Sequence, residues 1–506
     1  MRLNNMINRI IAVFAGAAML VSCNLDLEPS TAIVYDEEQP LFQSEDDIQS
    51  FYLGVLASYR SLCSGTFDMT TDVMVDYFNA TTGFGNNYGP VHRADNSFTP
   101  SDDYVESIWA SLYSAIKNYN IAITGAENVE IPELEESALF LKGVASYCRA
   151  SAYLTLTRLF GEVYDYDTAD DALSVPLVLK YSQDYVPFRS TVSDVYSQIE
   201  DDLNTAEEIL AGTAGEVGAM SPTIDAVRAL KARFYLDVQE YDDALKMARM
   251  VIESDAGYAL ASTRDEMISE YTEDAGTEPI MQMYASKTEG TISKSIYTLV
   301  GNDDVMGKYF SPYYLPSQTL LDAYEPTDLR RSVWFSTTKY PIFLSGDYYE
   351  EIYVFVKYLG NPYLLTGYVE TGAHYAKPLM ISEMYLIAAE AAYMKEGRAN
   401  YNSKKYLNDL QAARNTALTD GTLEEIKKEW YKEMVGNGHR FMCLKRWGDG
   451  IPARPAQDQA KNLVMTGGAY CERTVDAESH IFNLPIPAYE IQITPSLEQN
   501  WGYSAK

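Results

Sequence analysis

Between Ala226 and Ala256, the residues Ala232, Tyr235, Ala244, Ala248 and Val251 stand at the offsets of a tetratricopeptide helix pair, with Val238-Gln239-Glu240 as the turn. Small residues at these places let two antiparallel helices approach closely. One pair cannot bury its remaining faces, so a chain that carries it must stack further pairs alongside. Other stretches share the helical period. Val105, Ile108, Trp109, Leu112, Ile116, Tyr119 and Ile123 form a buried stripe behind Thr99-Pro100-Ser101-Asp102, read as an N-cap, a first-turn proline and an acid. Thr191-Val192-Ser193-Asp194 is a capping-box pattern that opens a helix through Val195, Tyr196, Ile199, Leu203, Ala206 and Leu210. A less regular pair runs from Glu383 to Arg414 around Gly397, and helices near 45–60 and 136–160 supply others. The expectation is a mostly α chain with about four such pairs.

Two segments have a different character. The chain holds 41 Tyr against 17 Phe and 5 Trp, more phenols than a core requires, so composition points to an aromatic contact surface. Residues 66–100 mix Phe67, Tyr77, Phe78, Phe84, Tyr88 and Phe98 with Asn79, Asn86, Asn87 and several glycines. Residues 301–375 hold 17 aromatics in 75 positions, against an aromatic share of 12% for the whole chain. Tyr353 and Phe355 alternate there as a half-buried strand would. Ser311-Pro312-Tyr313-Tyr314-Leu315-Pro316 is loop chemistry with aromatics attached.

The N-terminus sets the compartment. Residues 1–9 carry Arg2 and Arg9 and no acid, and Ile10 to Val21 form an apolar run too short to span a bilayer. The run ends in Leu20-Val21-Ser22-Cys23, which looks like a bacterial lipoprotein signal, with Cys23 the acylated residue of the mature chain. Several acyl chains suffice for stable anchoring without a spanning helix. The formal charge is 39 − 72 = −33, and loss of the two arginines leaves 37 − 72 = −35. Such a charge repels nucleic acid and anionic lipid alike, so no nucleic-acid partner is expected. Cys63, Cys148, Cys443 and Cys471 remain, with three full pairings open. Cys148 reads as a small core residue, and no cysteine or histidine spacing indicates a metal.

Several phrases together resemble the SusD/RagB family of Bacteroidetes nutrient-binding lipoproteins. They are Arg158-Leu159-Phe160-Gly161-Glu162-Val163, Ser174-Val175-Pro176-Leu177-Val178, Pro187-Phe188-Arg189-Ser190-Thr191-Val192, and Gly438-His439-Arg440-Phe441 with Leu444-Lys445-Arg446-Trp447-Gly448. The ending Leu484-Pro485-Ile486-Pro487 through Gln499-Asn500-Trp501-Gly502-Tyr503 is similar to the family's closing signature, with Thr494 where Asn is usual. Acids just after Cys23 resemble surface-export signals of the same bacteria. The resemblance implies tetratricopeptide-like helix pairs packed against an irregular, loop-rich ligand-binding subdomain with a few short strands. Its boundaries would be a signal peptide at 1–22, a lipidated linker at 23–44 and a single domain at 45–506. Within that domain the scaffold falls mainly at 45–65, 100–260 and 380–440, the binding subdomain at 66–100 and 261–379, and an irregular end at 441–506. It also implies a lipid-anchored protein on the outer face of the outer membrane. There it binds an oligosaccharide, less often a peptide, and passes it as a lid into a SusC-like TonB-dependent transporter, without being an enzyme or holding a cofactor.

Sugar binding needs aromatic faces for the C–H sides of pyranose rings and polar side chains for the hydroxyls. Phe84, Asn86, Asn87 and Tyr88 from the first segment, with Tyr313, Tyr314 and Trp334 from the second, are the expected ligand residues. A glycoside hydrolase would need two carboxylates astride the scissile bond. Glu429 and Glu433 instead share one face of a helix, a solvated-face or ion-pair pattern, and no nucleophile elbow is present. Asp165, Asp167, Asp170 and Asp171 carry calcium-type oxygens but lack an EF-hand glycine, and read as an exposed acidic turn. The rival class is a tetratricopeptide-like lipoprotein adaptor that binds only protein or peptide partners.

Overall fold

The computed structural model describes residues 40–63, 65–182, 185–289 and 292–504. The expected signal peptide, with Cys23 and most of the expected linker, lies outside the described residues. The first helices are α1 (Glu45–Leu62), α2 (Gly65–Met74), α3 (Gly89–Arg93), α4 (Asp103–Glu127) and α5 (Glu135–Phe160). Next come α6 (Val192–Ile209), α7 (Ile224–Asp237), α8 (Tyr241–Ile252) and α9 (Arg264–Thr272). After the short α10 (Gln318–Asp322) and α11 (Leu329–Trp334) follow α12 (Ile381–Glu396), α13 (Tyr401–Ala413), α14 (Leu423–Glu433), α15 (His439–Trp447) and α16 (Ala488–Ile493).

The scaffold forms because each helix buries one stripe against its predecessor. α4 packs on α5, α5 on α6, α7 on α8 and α12 on α13, while α1 lies across α4 and α5. The long excursion after α8 returns so that α12 packs directly on α8. Small residues permit this: Ala226, Ala229 and Ala232 of α7, Ala244 and Ala248 of α8, and Ala388, Ala391 and Ala392 of α12 are all buried. At Gly143 of α5 a β-carbon would fall 2.6 Å from the Ile209 side chain, so α5 and α6 meet too closely for any larger residue. Arg149 of α5 locks the same seam, donating to both Asp202 carboxylate oxygens at 2.8 and 2.6 Å and to Asn120 Oδ1 at 2.9 Å.

Caps follow the sequence with one correction. Thr191 accepts from the Asp194 amide at 3.0 Å as expected. Helix α4, however, is capped by Asp102, whose carboxylate accepts from the amides of Tyr104 and Val105, while Thr99 closes the turn before it. An ionised carboxylate at a helix N-terminus interacts with the helix dipole, which a threonine hydroxyl does not. Gly397 closes α12 in the left-handed conformation at φ 63°.

Short strands fill the gaps: β1 (Phe78–Ala80), β2 (Pro279–Met283), β3 (Ile292–Ser293), β4 (Val300–Asp303), β5 (Gly307–Phe310) and β6 (Tyr314–Pro316). Then come β7 (Phe335–Ser336), β8 (Ile342–Leu344), β9 (Asp347–Tyr349), β10 (Val354–Phe355), β11 (Ala373–His374) and β12 (Ala376–Met380). Among the described residues four two-stranded antiparallel sheets form, β1 with β6, β2 with β12, β3 with β11 and β7 with β10. The remaining sheet has the order β4-β5-β8-β9, with β5 and β8 parallel. It has a small core of its own, in which Val300, Phe310, Ile342 and Leu344 meet Leu463 and Val464.

Glu429 and Glu433 do not lie on a solvated face. Both are buried, and the ion-pair half of the expectation holds. Arg330 reaches Asp328, Glu429 and Glu433 at 2.7, 2.7 and 2.8 Å, and Arg414 joins Glu433 to Glu278. Cys63, Cys148, Cys443 and Cys471 are free thiols, so none of the three pairings forms.

Candidate functional site

The two aromatic segments, more than 200 residues apart in sequence, meet in space. β1 pairs with β6 in the register Phe78–Pro316, Asn79–Leu315 and Ala80–Tyr314. Beyond β1, the Thr81 amide donates to the Tyr313 carbonyl at 2.9 Å and the Thr81 hydroxyl to the Pro312 carbonyl at 2.9 Å. The loop then turns tightly through Gly85, Asn86 and Tyr88, all at positive φ. Its far side is held by the Tyr314 hydroxyl, which donates to the Asn87 carbonyl at 2.6 Å. The Thr82 and Ser345 hydroxyls, 2.9 Å apart, join the loop to the β8–β9 turn.

This packing consumes four of the seven expected ligand residues. Phe84 is buried between Tyr314 and Tyr470, and Tyr88 is buried with its ring stacked on Tyr104 at 3.9 Å. Tyr314 is 0% exposed. Trp334, at 1%, sits in the interior against Tyr271 with the Lys357 ammonium 4.1 Å from its ring. These rings support the loop and core and offer no face to a ligand. Asn86 is exposed and accepts from Arg93 at 2.9 Å, while Asn87 and Tyr313 are half-buried at the rim. Of the seven expected ligand residues, Phe84, Tyr88, Tyr314 and Trp334 are thus supporting rings, and Asn86, Asn87 and Tyr313 stand at the loop rim.

A cluster of accessible aromatic rings lies on the outer face of the four-stranded sheet. Tyr309, Phe343 and Tyr348 are half-exposed and touch pairwise, with ring centroids 5.3 Å (Tyr309–Phe343), 5.9 Å (Tyr309–Tyr348) and 4.9 Å (Phe343–Tyr348) apart. Period-two alternation puts them there: Phe310, Ile342 and Leu344, their chain neighbours, point inward to the core. Phe343 and Tyr348 are direct cross-strand partners. Gly301 faces Tyr309, and a β-carbon at Gly301 would fall 2.3 Å from that ring, so the ring lies down over the glycine. Three rings that brace one another keep their faces fixed, each contact adding about 0.5–1.5 kcal/mol. Asp303 stands beside them, and partial burial together with its carboxylate raises the Tyr348 phenol. The legible signal was the alternation in Ile342-Phe343-Leu344 followed by the Ser345-Gly346 turn.

A second polar region is internal. A cavity of about 160 Å³ is lined by Asp68, Arg158, Arg233, Lys294, Lys377 and His439 among others. Its charges are paired: Arg233 with Glu383 at 2.7 Å, Lys294 with Asp68 at 2.6 Å, Lys377 with Asp274 at 2.5 Å and Arg158 with Asp237 at 3.0 Å. Burial, outweighing the Glu383 carboxylate, holds His439 at about 3, so its ring is neutral at neutral pH. Gly438-His439-Arg440 thus lies in a structural network, with Arg440 paired to Asp76 at 3.1 Å. Asp165, Asp167, Asp170 and Asp171 are exposed, and no metal-binding cluster occurs among the described residues.

Comparison with known proteins decides the family. Residues 24–236 match the family described as starch-binding and associating with the outer membrane, and residues 257–503 match the SusD family. This chain belongs to the SusD family. A SusD-like protein P2 from Formosa agariphila is 26% identical over 401 residues, covering 74% of this chain and 75% of its own. A putative sugar binding protein from Bacteroides vulgatus has the same fold with a TM-score of 0.75 at 28% identity, over 92% of this chain and all of its own. A laminarin binding SusD-like protein shares the fold with a TM-score of 0.70 at 20% identity, over 91% of this chain and all of its own. The SusD fold accounts for the helix pairs and for the strand-rich excursion between α9 and α12. Among the described residues no helix is long and apolar enough to cross a membrane.

Proposed function

We propose that this protein is a cell-surface lipoprotein, anchored to the outer membrane through Cys23, that binds an oligosaccharide. It delivers the glycan to a SusC-like TonB-dependent transporter and acts as its lid, without catalysing a reaction. The observation that carries the binding half is the Tyr309–Phe343–Tyr348 cluster, fixed on a rigid sheet and joined through Ser345 to the 81–88 loop. Flat, braced rings suit the C–H faces of pyranoses. Asn86, Asn87 and Tyr313 at the loop rim and Asp303 beside the rings supply polar groups for hydroxyls. The solved relative that binds laminarin has this fold, which supports a glycan over a protein-only ligand. A net charge of −35 on the exported chain suits a neutral glycan. The test is calorimetry of the acyl-free protein, residues 24–506, against laminari-, malto-, xylo- and manno-oligosaccharides, with Tyr348→Ala alongside. Binding that weakens in the variant supports the reading; no binding to any glycan sinks it. Recovery of a TonB-dependent barrel when the full-length protein is purified from membranes tests the partner.

A further inference from the structure

Trp501 is 72% exposed, although the backbone on both sides of it is pinned. Before it, the Asn500 amide group donates to the Phe160 and Leu484 carbonyls, both at 2.7 Å. After it, the Tyr503 ring packs on His480 with centroids 4.7 Å apart and on Phe98 at 6.1 Å. His480 also meets the Trp501 indole edge to face at 5.8 Å. Gly502 makes this possible: its φ is +86°, and a β-carbon there would fall 2.3 Å from the His480 ring. A large apolar ring held out into water by an ordered backbone is the arrangement of a contact residue, not of a fraying terminus.

The indole stands over a groove of about 620 Å³ lined also by Arg93, Arg473, Asp476, Glu478 and His480. Arg473 is buried, donates through Nη2 to the Met74 carbonyl, and keeps Nε and Nη1 without a hydrogen-bond partner. Burial pulls its guanidinium down to about 10 despite Asp76 and Asp95 nearby. Buried donors left unmatched are costly, and Arg473 forms part of the groove's lining. Asp476 and Glu478 are exposed acceptors on the same rim. The combination is an apolar plate, two acids and an unmatched guanidinium in a concavity of ligand-site size. Acceptors and donors of both signs suit a neutral polyol better than an anion. The groove shares no lining residue with the Tyr309 cluster but joins the 84–88 loop through Arg93, which donates to Asn86 at 2.9 Å and lies over the Tyr470 ring.

We propose that the Trp501 groove is a second carbohydrate-contacting surface, which stacks a pyranose on the indole and places its hydroxyls on Arg473, Asp476 and Glu478. This rests on the glycan-binding reading above. Trp109, Trp334 and Trp430 are buried and Trp447 is half-buried, so the part of the acrylamide quenching that Trp501→Ala removes reports on Trp501. The acyl-free protein is titrated with laminari-, malto-, xylo- and mannohexaose while quenching is followed, and affinities are compared for the wild type, Trp501→Ala and Phe343→Ala. At least one hexaose is expected to shield Trp501 from acrylamide and to bind Trp501→Ala about three- to tenfold more weakly. A hexaose that binds, is weakened by Phe343→Ala, and leaves both Trp501 quenching and Trp501→Ala affinity unchanged overturns the second surface and spares the first. No hexaose binding at all overturns both. If Trp501→Ala leaves glycan affinity intact but abolishes co-purification with the barrel, the groove is a protein contact and the proposal falls.

Discussion

The Tyr314 hydroxyl donates to the Asn87 carbonyl at 2.6 Å, and this one bond ties together segments 227 residues apart. The tyrosine ring is packed beneath the loop against Phe84 and His92. Tyr314 therefore acts as a pillar: it fixes where the exposed Asn86 stands without touching a ligand itself.

Tyr314→Phe keeps the ring and deletes the bond. Stability should fall by about 0.5–1.5 kcal/mol, the net worth of an ordinary hydrogen bond, and the loop amides at Asn87 and Gly89 should exchange faster. Urea denaturation and hydrogen exchange measure the two effects. Unchanged exchange in the loop would show that β1–β6 pairing alone holds it.

Trp334 and Tyr348 should separate cleanly. Trp334→Ala empties a core site and should cost about 3–5 kcal/mol of stability while sparing glycan affinity in whatever protein stays folded. Tyr348→Ala removes a half-exposed ring and should weaken binding by about two- to tenfold with little change in stability. Thermal melts paired with calorimetry check both, and the reverse pattern would return Trp334 to the ligand site.

What the sequence disclosed follows from where its signals are local. The Ala226–Ala256 pair, the Thr191 cap and the Gly397 stop are decided within a few residues, and the structure has each of them. The meeting of residues 66–100 with 301–375 was legible only as shared composition. Which ring faces water was not, because burial of Phe84, Tyr88 and Tyr314 depends on Tyr470, Tyr104 and His92, partners that no local pattern names. Glu429 and Glu433 misled in the same way. Their spacing is that of a surface helix, and it is Arg330 and Arg414 from distant elements, with Lys432 beside Glu429, that make their burial tolerable.

Arg330 is the test of that network. It is fully buried among Asp328, Glu429 and Glu433, so Arg330→Leu would strip the shared guanidinium from three buried carboxylates, leaving Arg414 on Glu433 and Lys432 on Glu429. The expected cost is about 3–5 kcal/mol. Burial works to raise the Glu433 carboxyl, but Arg414 and Arg330 outweigh it and hold it well below the usual range. A carboxyl depressed in the folded state contributes stability that is present above the unfolded value and lost as pH falls from there through the lower folded value. The wild type should therefore weaken progressively below about pH 4.5, and Arg330→Leu should show a shallower acid loss from a lower starting stability. Denaturant titrations at pH 3 to 7 measure both.

Lys445 gives a pH effect of the opposite origin. Its side chain is buried at the end of α5, where Nζ donates to the carbonyls of Arg158 and Gly161 at 2.9 and 2.7 Å. Burial, only partly opposed by Glu162, pulls its ammonium down to about 7, and burial does the same to Lys357. A neutral amine still has two hydrogens for two carbonyls, so the folded state tolerates the loss of the proton. The unfolded chain binds that proton up to about pH 10.5, and the folded one releases it near 7. Stability should thus rise with pH across this window, each lysine contributing a slope of at most about 1.4 kcal/mol per pH unit. Lys445→Met orphans the two carbonyls and lowers stability by about 1–3 kcal/mol, yet removes one lysine's share of the slope. Urea denaturation of wild type and variant at pH 7, 8 and 9 decides the matter: equal slopes in the two proteins would mean that Lys445 stays charged in the fold.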